Sequence, residues 1–104
     1  MVDLIKKKCV PCEGGVLQLT AQRAKEKLCG IPGWQLRDNR LFKQFSFKNF
    51  KQTMVFVNKV ADLAEEEGHH PDLHVHWGKV EIEFWTHAIN GLSENDFIMA
   101  AKVD

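Results

Sequence analysis

The sequence predicts an α+β domain in which a four-stranded antiparallel sheet carries helices packed on one face, in the order α-β-β-α-β-β-α. Two observations lead there. A long segment after Ser46 repeats apolar residues at alternating spacings of three and four, the period of a helix face, and two further segments around 34–46 and 74–87 alternate or crowd their apolar residues about turn-forming side chains.

The first element is a short helix. Thr20 can cap it, Leu19 and Ala24 sit at staple positions, and Gly30 followed by Pro32 stops it at about Cys29. From Trp34 to Ser46, Arg37-Asp38-Asn39-Arg40 interrupts the apolar residues with turn formers, so two strands joined as a hairpin are expected.

Ser46 then reads as the N-cap of the longest helix, with Phe45 and Phe50 as its staple and Gly68 followed by Pro71 as its end. Phe47, Phe50, Met54, Val57, Ala61 and Ala64 fall on one face, which should meet the sheet. A second stripe of Phe56, Val60 and Leu63 widens the apolar arc. It fits either a broad core face or a helix-to-helix contact between subunits.

A second hairpin is expected from His74–Trp77 and Lys79–His87 about Gly78. Val80, Ile82 and Phe84 would share one face and Lys79, Glu81, Glu83, Trp85 and His87 the other, because successive strand side chains point to opposite sides. On that alternation His87 faces away from the helices. Ser93 with Asp96 has the spacing of a capping box, and Phe97, Ile98 and Ala101 give the last helix its apolar face.

With 104 residues, 44% of them hydrophobic, the chain can bury one core but not two ordinary ones. Residues 1–15 read as an N-terminal arm ending at Gly14-Gly15, and residues 16–104 as a single domain. Fourteen basic residues balance fourteen acidic ones, so no general attraction to nucleic acid or to an anionic membrane is expected. Lys6-Lys7-Lys8 is read as a solvated part of the arm. No apolar run approaches membrane-spanning length and no secretory pattern opens the chain, so the cytoplasm is the expected compartment.

Three cysteines, Cys9, Cys12 and Cys29, are an odd number in a chain without an export pattern, and reduced thiols follow. Cys9-Val10-Pro11-Cys12 lacks the second pair that a zinc site in one chain would need. There is no glycine-rich phosphate loop, no G-x-S-x-G elbow and no H-E-x-x-H.

What stands out is histidine. His69, His70, His74 and His76 cluster where the long helix should give way to a strand. An unperturbed imidazole titrates at about 6.5, so it both gives and takes protons near neutrality. His74 and His76 read as exposed strand residues; although they share a strand face, no acidic ligand is spaced to complete a metal site, and no metal is expected. The pair His69-His70 reads as functional, because Pro71 fixes the exit path and biases His70 to an extended backbone.

The ordered set Gly68-His69-His70-Pro71-Asp72, Thr86-His87, Gly91-Leu92 and Asp96, with Gly33-Trp34 and Phe42-Lys43-Gln44-Phe45-Ser46-Phe47 upstream, resembles the pterin-4a-carbinolamine dehydratases from about Thr20 to the end. The resemblance implies a pterin substrate, 4a-hydroxytetrahydropterin, that loses water to give quinonoid dihydropterin, and it implies neither metal nor redox cofactor. It marks His69, His70 and His87 as catalytic. His69 and His87 would transfer protons and His70 would orient the pterin. It also marks Glu65, Thr86, Asp96 and Trp34 as substrate-binding residues.

Two departures stand in this sequence. Family members often carry an acidic residue before the histidine pair and a tryptophan two positions after the proline, where this chain has Gly68 and Leu73. The resemblance further implies a homodimer or homotetramer, and it opens an alternative from another class, a dimerisation cofactor for a transcription regulator with no direct DNA contact.

Overall fold

The computed structural model describes residues 19–89 and 91–104. The arm with Cys9 and Cys12 lies outside them. The elements are α1 (Ala21–Lys27), β1 (Gln35–Arg37), β2 (Arg40–Ser46), α2 (Phe50–Glu67), β3 (Asp72–Val75), β4 (Lys79–Phe84) and α3 (Glu94–Val103). The strands form one antiparallel sheet in the order β1-β2-β4-β3. The expected fold class and element order are both found.

Leu41, Val80, Ile82 and Phe84 are fully buried on the face of the sheet that α2 and α3 cover. In the antiparallel register Leu41 pairs with Phe84 and Phe45 with Val80, so β2 and β4 turn the same side inward. The other face carries Phe42, Gln44, Glu81 and Glu83. β1 and β2 meet through the two-residue turn Asp38-Asn39, at φ 48° and 61°, the conformation that matches strand twist in a tight hairpin and that Asp and Asn tolerate.

The first helix is shorter than expected and ends in a 3₁₀ turn, Leu28–Gly30; Thr20 caps it, its side chain accepting from the Arg23 N–H at 3.2 Å. At α2 the expected start is corrected. Ser46 remains in β2, paired with Lys79, and Asn49 is the N-cap, its Oδ1 accepting from the Gln52 N–H at 2.8 Å. The staple fails with it: Phe50 is 48% exposed.

The buried face of α2 is rotated accordingly. Thr53, Val60 and Ala64 are buried, and Phe56, Val57 and Leu63 pack against the core, while Ala61 is exposed. The second stripe is therefore core. Thr53 helps to set this rotation: its hydroxyl lies within hydrogen-bond distance of the Asn49 and Trp77 carbonyl oxygens, at 2.8 and 3.0 Å.

The last two corrections bear on the site. β3 begins at Asp72, two residues earlier than expected, and His76 and Trp77 lie in the turn. β4 ends at Phe84, so His87 is no strand residue; Thr86 bridges to Gly91, and His87–Ile89 form a 3₁₀ turn. At α3 the capping box between Ser93 and Asp96 is present, and Asn95 through Ala100 are buried.

Candidate active site

Two distant stretches meet at one end of the sheet. Asp72, the first residue of β3, pairs with Glu83 near the end of β4, which brings the segment leaving α2 beside the segment leaving β4. The first contains His69 and His70; the second contains Thr86 and His87.

α2 terminates at Gly68, which takes the left-handed conformation at φ 68° and donates its N–H to the Ala64 carbonyl at 2.9 Å. This turn sends the next two side chains different ways. The His69 ring is 5% exposed and stacks toward the buried Phe84, with centroids 6.4 Å apart and planes 12° apart. The His70 ring is exposed, and its Nε2 pairs with the Glu65 carboxylate on α2.

His69 Nε2 lies 2.7 Å from Asp96 Oδ1. The other carboxylate oxygen of Asp96 accepts from the Ser93 N–H at 3.0 Å and from the Thr86 hydroxyl at 2.8 Å. The Ser93 hydroxyl, 2.7 Å from that of Thr86, also accepts from the first turn of α3, so its own hydrogen points to Thr86. Every hydroxyl hydrogen is then assigned, and an ionised Asp96 can only accept. In the contact with that carboxylate Nε2 of His69 is the donor.

Asp96 and Thr86 are fully buried, each at 0% exposure. They lie beneath His69, so their contact is with the imidazole and the start of α3. Trp34 is likewise buried; it packs 5.7 Å from the Phe84 ring that His69 also faces, and its Nε1 donates to Asp104 Oδ2 at 3.1 Å.

His87 is exposed, and its ring packs on Trp85 with centroids 4.0 Å apart. Trp85 is held in turn: its Nε1 donates to Asp72 Oδ2 at 2.9 Å, and the Arg40 guanidinium, bonded to Glu83 at 3.0 Å, lies 4.2 Å from the indole centroid. Asp72, Trp85, Arg40 and Ser93 are partners that the site reading from sequence omits. Trp85 had a local signal, since it stands two residues before His87 on the alternating pattern.

Among the described residues no group of three or more His, Cys, Asp or Glu side chains is arranged to hold a metal ion. His76 Nε2 lies 3.4 Å from Glu81, and His74 pairs with Glu81 in the sheet register. The described helices include none long and apolar enough to cross a membrane.

The sequence model described as pterin 4 alpha carbinolamine dehydratase matches residues 17–104. A Methylococcus capsulatus protein provisionally named pterin-4-alpha-carbinolamine dehydratase is 52% identical over 104 residues, covering 98% of this chain and 91% of its own. The mitochondrial pterin-4-alpha-carbinolamine dehydratase 2 of Arabidopsis thaliana is 50% identical over 110 residues, covering 100% of this chain and 59% of its own. The crystal structure of a transcriptional coactivator/pterin dehydratase from Brucella melitensis superposes with a TM-score of 0.80 at 32% identity, over 84% of this chain and 95% of that one. A pterin dehydratase-like protein described as a RuBisCO assembly factor in the alpha-carboxysome superposes with a TM-score of 0.55 at 34% identity, over 67% of this chain and 81% of that one. By its matched sequence and its fold, this chain belongs to the pterin 4 alpha carbinolamine dehydratase family, and the curated relatives above carry the name of a hydro-lyase.

Proposed function

We propose that this protein dehydrates a 4a-hydroxytetrahydropterin to the quinonoid dihydropterin in tetrahydropterin recycling, by histidine acid-base chemistry without a metal or redox cofactor. The C4a–O bond breaks as the hydroxyl takes up a proton and leaves as water, while N5 gives up its hydrogen and its electron pair closes the new double bond to C4a. One acid and one base suffice, and no electrons are exchanged with a second reagent.

The observation that carries the proposal is the hydrogen-bonded line from His69 through Asp96 to Thr86, which joins the two histidine-bearing segments immediately before His87. In this reading His69 and His87 exchange protons with the pterin and His70 orients it. Asp96 and Thr86 act through His69, Glu65 acts through His70, and Trp34 backs the Phe84 wall.

Purified, chelator-treated protein should accelerate dehydration of 4a-hydroxytetrahydropterin, and His69→Ala or His87→Ala should each remove about 10²-fold or more of that acceleration. Unchanged turnover in both variants would refute the assignment. We also propose a homo-oligomer, with the exposed Phe50 and Val55 of α2, 48% and 51% accessible, at its contact. These exposed apolar positions favour a second reading as an interaction module for a protein partner, and that reading stands alone if the purified chain does not accelerate the dehydration.

A further inference from the structure

Trp85 takes no part in the acid-base scheme, yet three other parts of the site converge on it. Its ring contacts the His87 ring at a centroid distance of 4.0 Å and an interplanar angle of 39°. Its Nε1 donates to Asp72 at 2.9 Å, and Asp72 directly follows His69-His70-Pro71 in the chain. The Arg40 guanidinium covers the indole at 4.2 Å and is itself fixed by Glu83 at 3.0 Å.

We infer that Trp85 is a positioning residue, which seats the His87 imidazole and ties it to the His69-His70-Pro71 segment through Asp72. His87 opens a 3₁₀ turn just beyond the end of β4 and is exposed, so the strand ladder does not hold its ring. An exposed side chain on such a turn samples several rotamers, and a proton-transferring ring must be held in one. An indole tilted against it in ring contact, with its own nitrogen anchored and a guanidinium packed on it, supplies that restraint from the sheet.

The arrangement also gives the site two independent ties between the same two segments. Asp96 and Thr86 join them among buried residues, and Asp72 and Trp85 join them on the side where Arg40 and Glu83 lie. The buried tie fixes His69. The other fixes His87.

The inference rests on the proposed reaction for its consequence but not for its geometry, and two measurements separate them. In the substrate-free protein, the imidazole C–H resonances of His87 should carry the ring-current displacement of an adjacent indole, keep a displacement in Trp85→Phe, and move to the position of a free histidine in Trp85→Leu. In turnover, Trp85→Leu should lower kcat about tenfold with KM changed less than about twofold, while Trp85→Phe retains at least about half of kcat. Asp72→Ala, which leaves the indole in place and removes its anchor, should shift the same resonances part of the way and lower kcat by about threefold, and it serves if Trp85→Leu does not fold. His87 resonances that are undisplaced in the parent protein, or that stay where they are in both Trp85→Leu and Asp72→Ala, overturn the inference. So does an unchanged kcat in both variants when His87→Ala is impaired. If His87→Ala is fully active, the proposed reaction scheme fails and the resonances alone decide whether Trp85 seats the ring.

Discussion

His69 and Asp96 stand 27 positions apart, and the Nε2 of one lies 2.7 Å from the Oδ1 of the other with both side chains almost wholly buried. Asp96 is also the residue that closes the capping box of α3, through the Ser93 N–H at 3.0 Å. One carboxylate thus fixes the start of a helix and the orientation of an imidazole. A change at Asp96 has consequences on both sides.

Asp96→Asn keeps the size of the side chain but removes the charge and turns one acceptor into a donor. We expect kcat to fall about 10- to 100-fold while the protein stays folded. Asp96→Ala leaves three buried donors without their acceptor, each worth about 1–3 kcal/mol, and should cost about 3 kcal/mol or more in urea unfolding. A fully active Asp96→Asn variant would mean that His69 needs no buried carboxylate.

The local half of this arrangement was legible in the sequence and the tertiary half was not. The Ser93-x-x-Asp96 spacing reports a capping box because both partners lie in one turn, and the Val80, Ile82, Phe84 alternation reports a strand face for the same reason. That the second oxygen of Asp96 reaches His69 depends on how α3 packs against the end of α2, which no spacing encodes. His87 shows the converse limit. The alternating pattern runs on through it, but the bridge from Thr86 to Gly91 ends the strand first, and only the side of the ring survives, through Trp85.

The misplaced start of α2 is a competition between two residues that can both cap. Ser46 and Asn49 are three apart, and pairing of Ser46 with Lys79 keeps the former in the sheet. Asn49→Ala should therefore cost about 1 kcal/mol, and Ser46→Ala only a few tenths, in chemical denaturation. Equal losses in the two variants would argue that the helix begins earlier.

Gly68 is the residue on which the two histidine directions turn. A Cβ there meets nothing within 4 Å, so the cost of substitution comes from the backbone at φ 68° alone. Gly68→Ala should lose about 1 kcal/mol of stability and Gly68→Asn less, because asparagine enters the left-handed region more readily. Turnover should follow the same order, since a strained exit from α2 shifts His69 and His70 together.

The oligomer proposal has a narrow test on α2. Val55→Glu and Phe50→Glu place charges on exposed apolar positions outside the core, so the fold should tolerate them while light scattering reports a smaller particle. An unchanged mass in both variants would remove these two positions from the contact.

Thr86 separates a substrate contact from a supporting one. The family resemblance marks it as a pterin-binding residue, yet its side chain is fully buried, and its hydroxyl gives its hydrogen to Asp96 at 2.8 Å and faces Ser93 at 2.7 Å. A residue that binds the pterin directly should, when changed, weaken ground-state binding and raise KM. A residue that acts through Asp96 should instead lower kcat, because the carboxylate loses a donor and His69 loses part of its fixed orientation. Thr86→Val, which keeps the shape and removes the hydroxyl, should then lower kcat about tenfold with KM within about twofold, and should cost about 1–2 kcal/mol because the Ser93 hydroxyl is left without its acceptor. Thr86→Ser restores the hydroxyl and should recover most of kcat. A KM that rises while kcat holds would return Thr86 to the pterin.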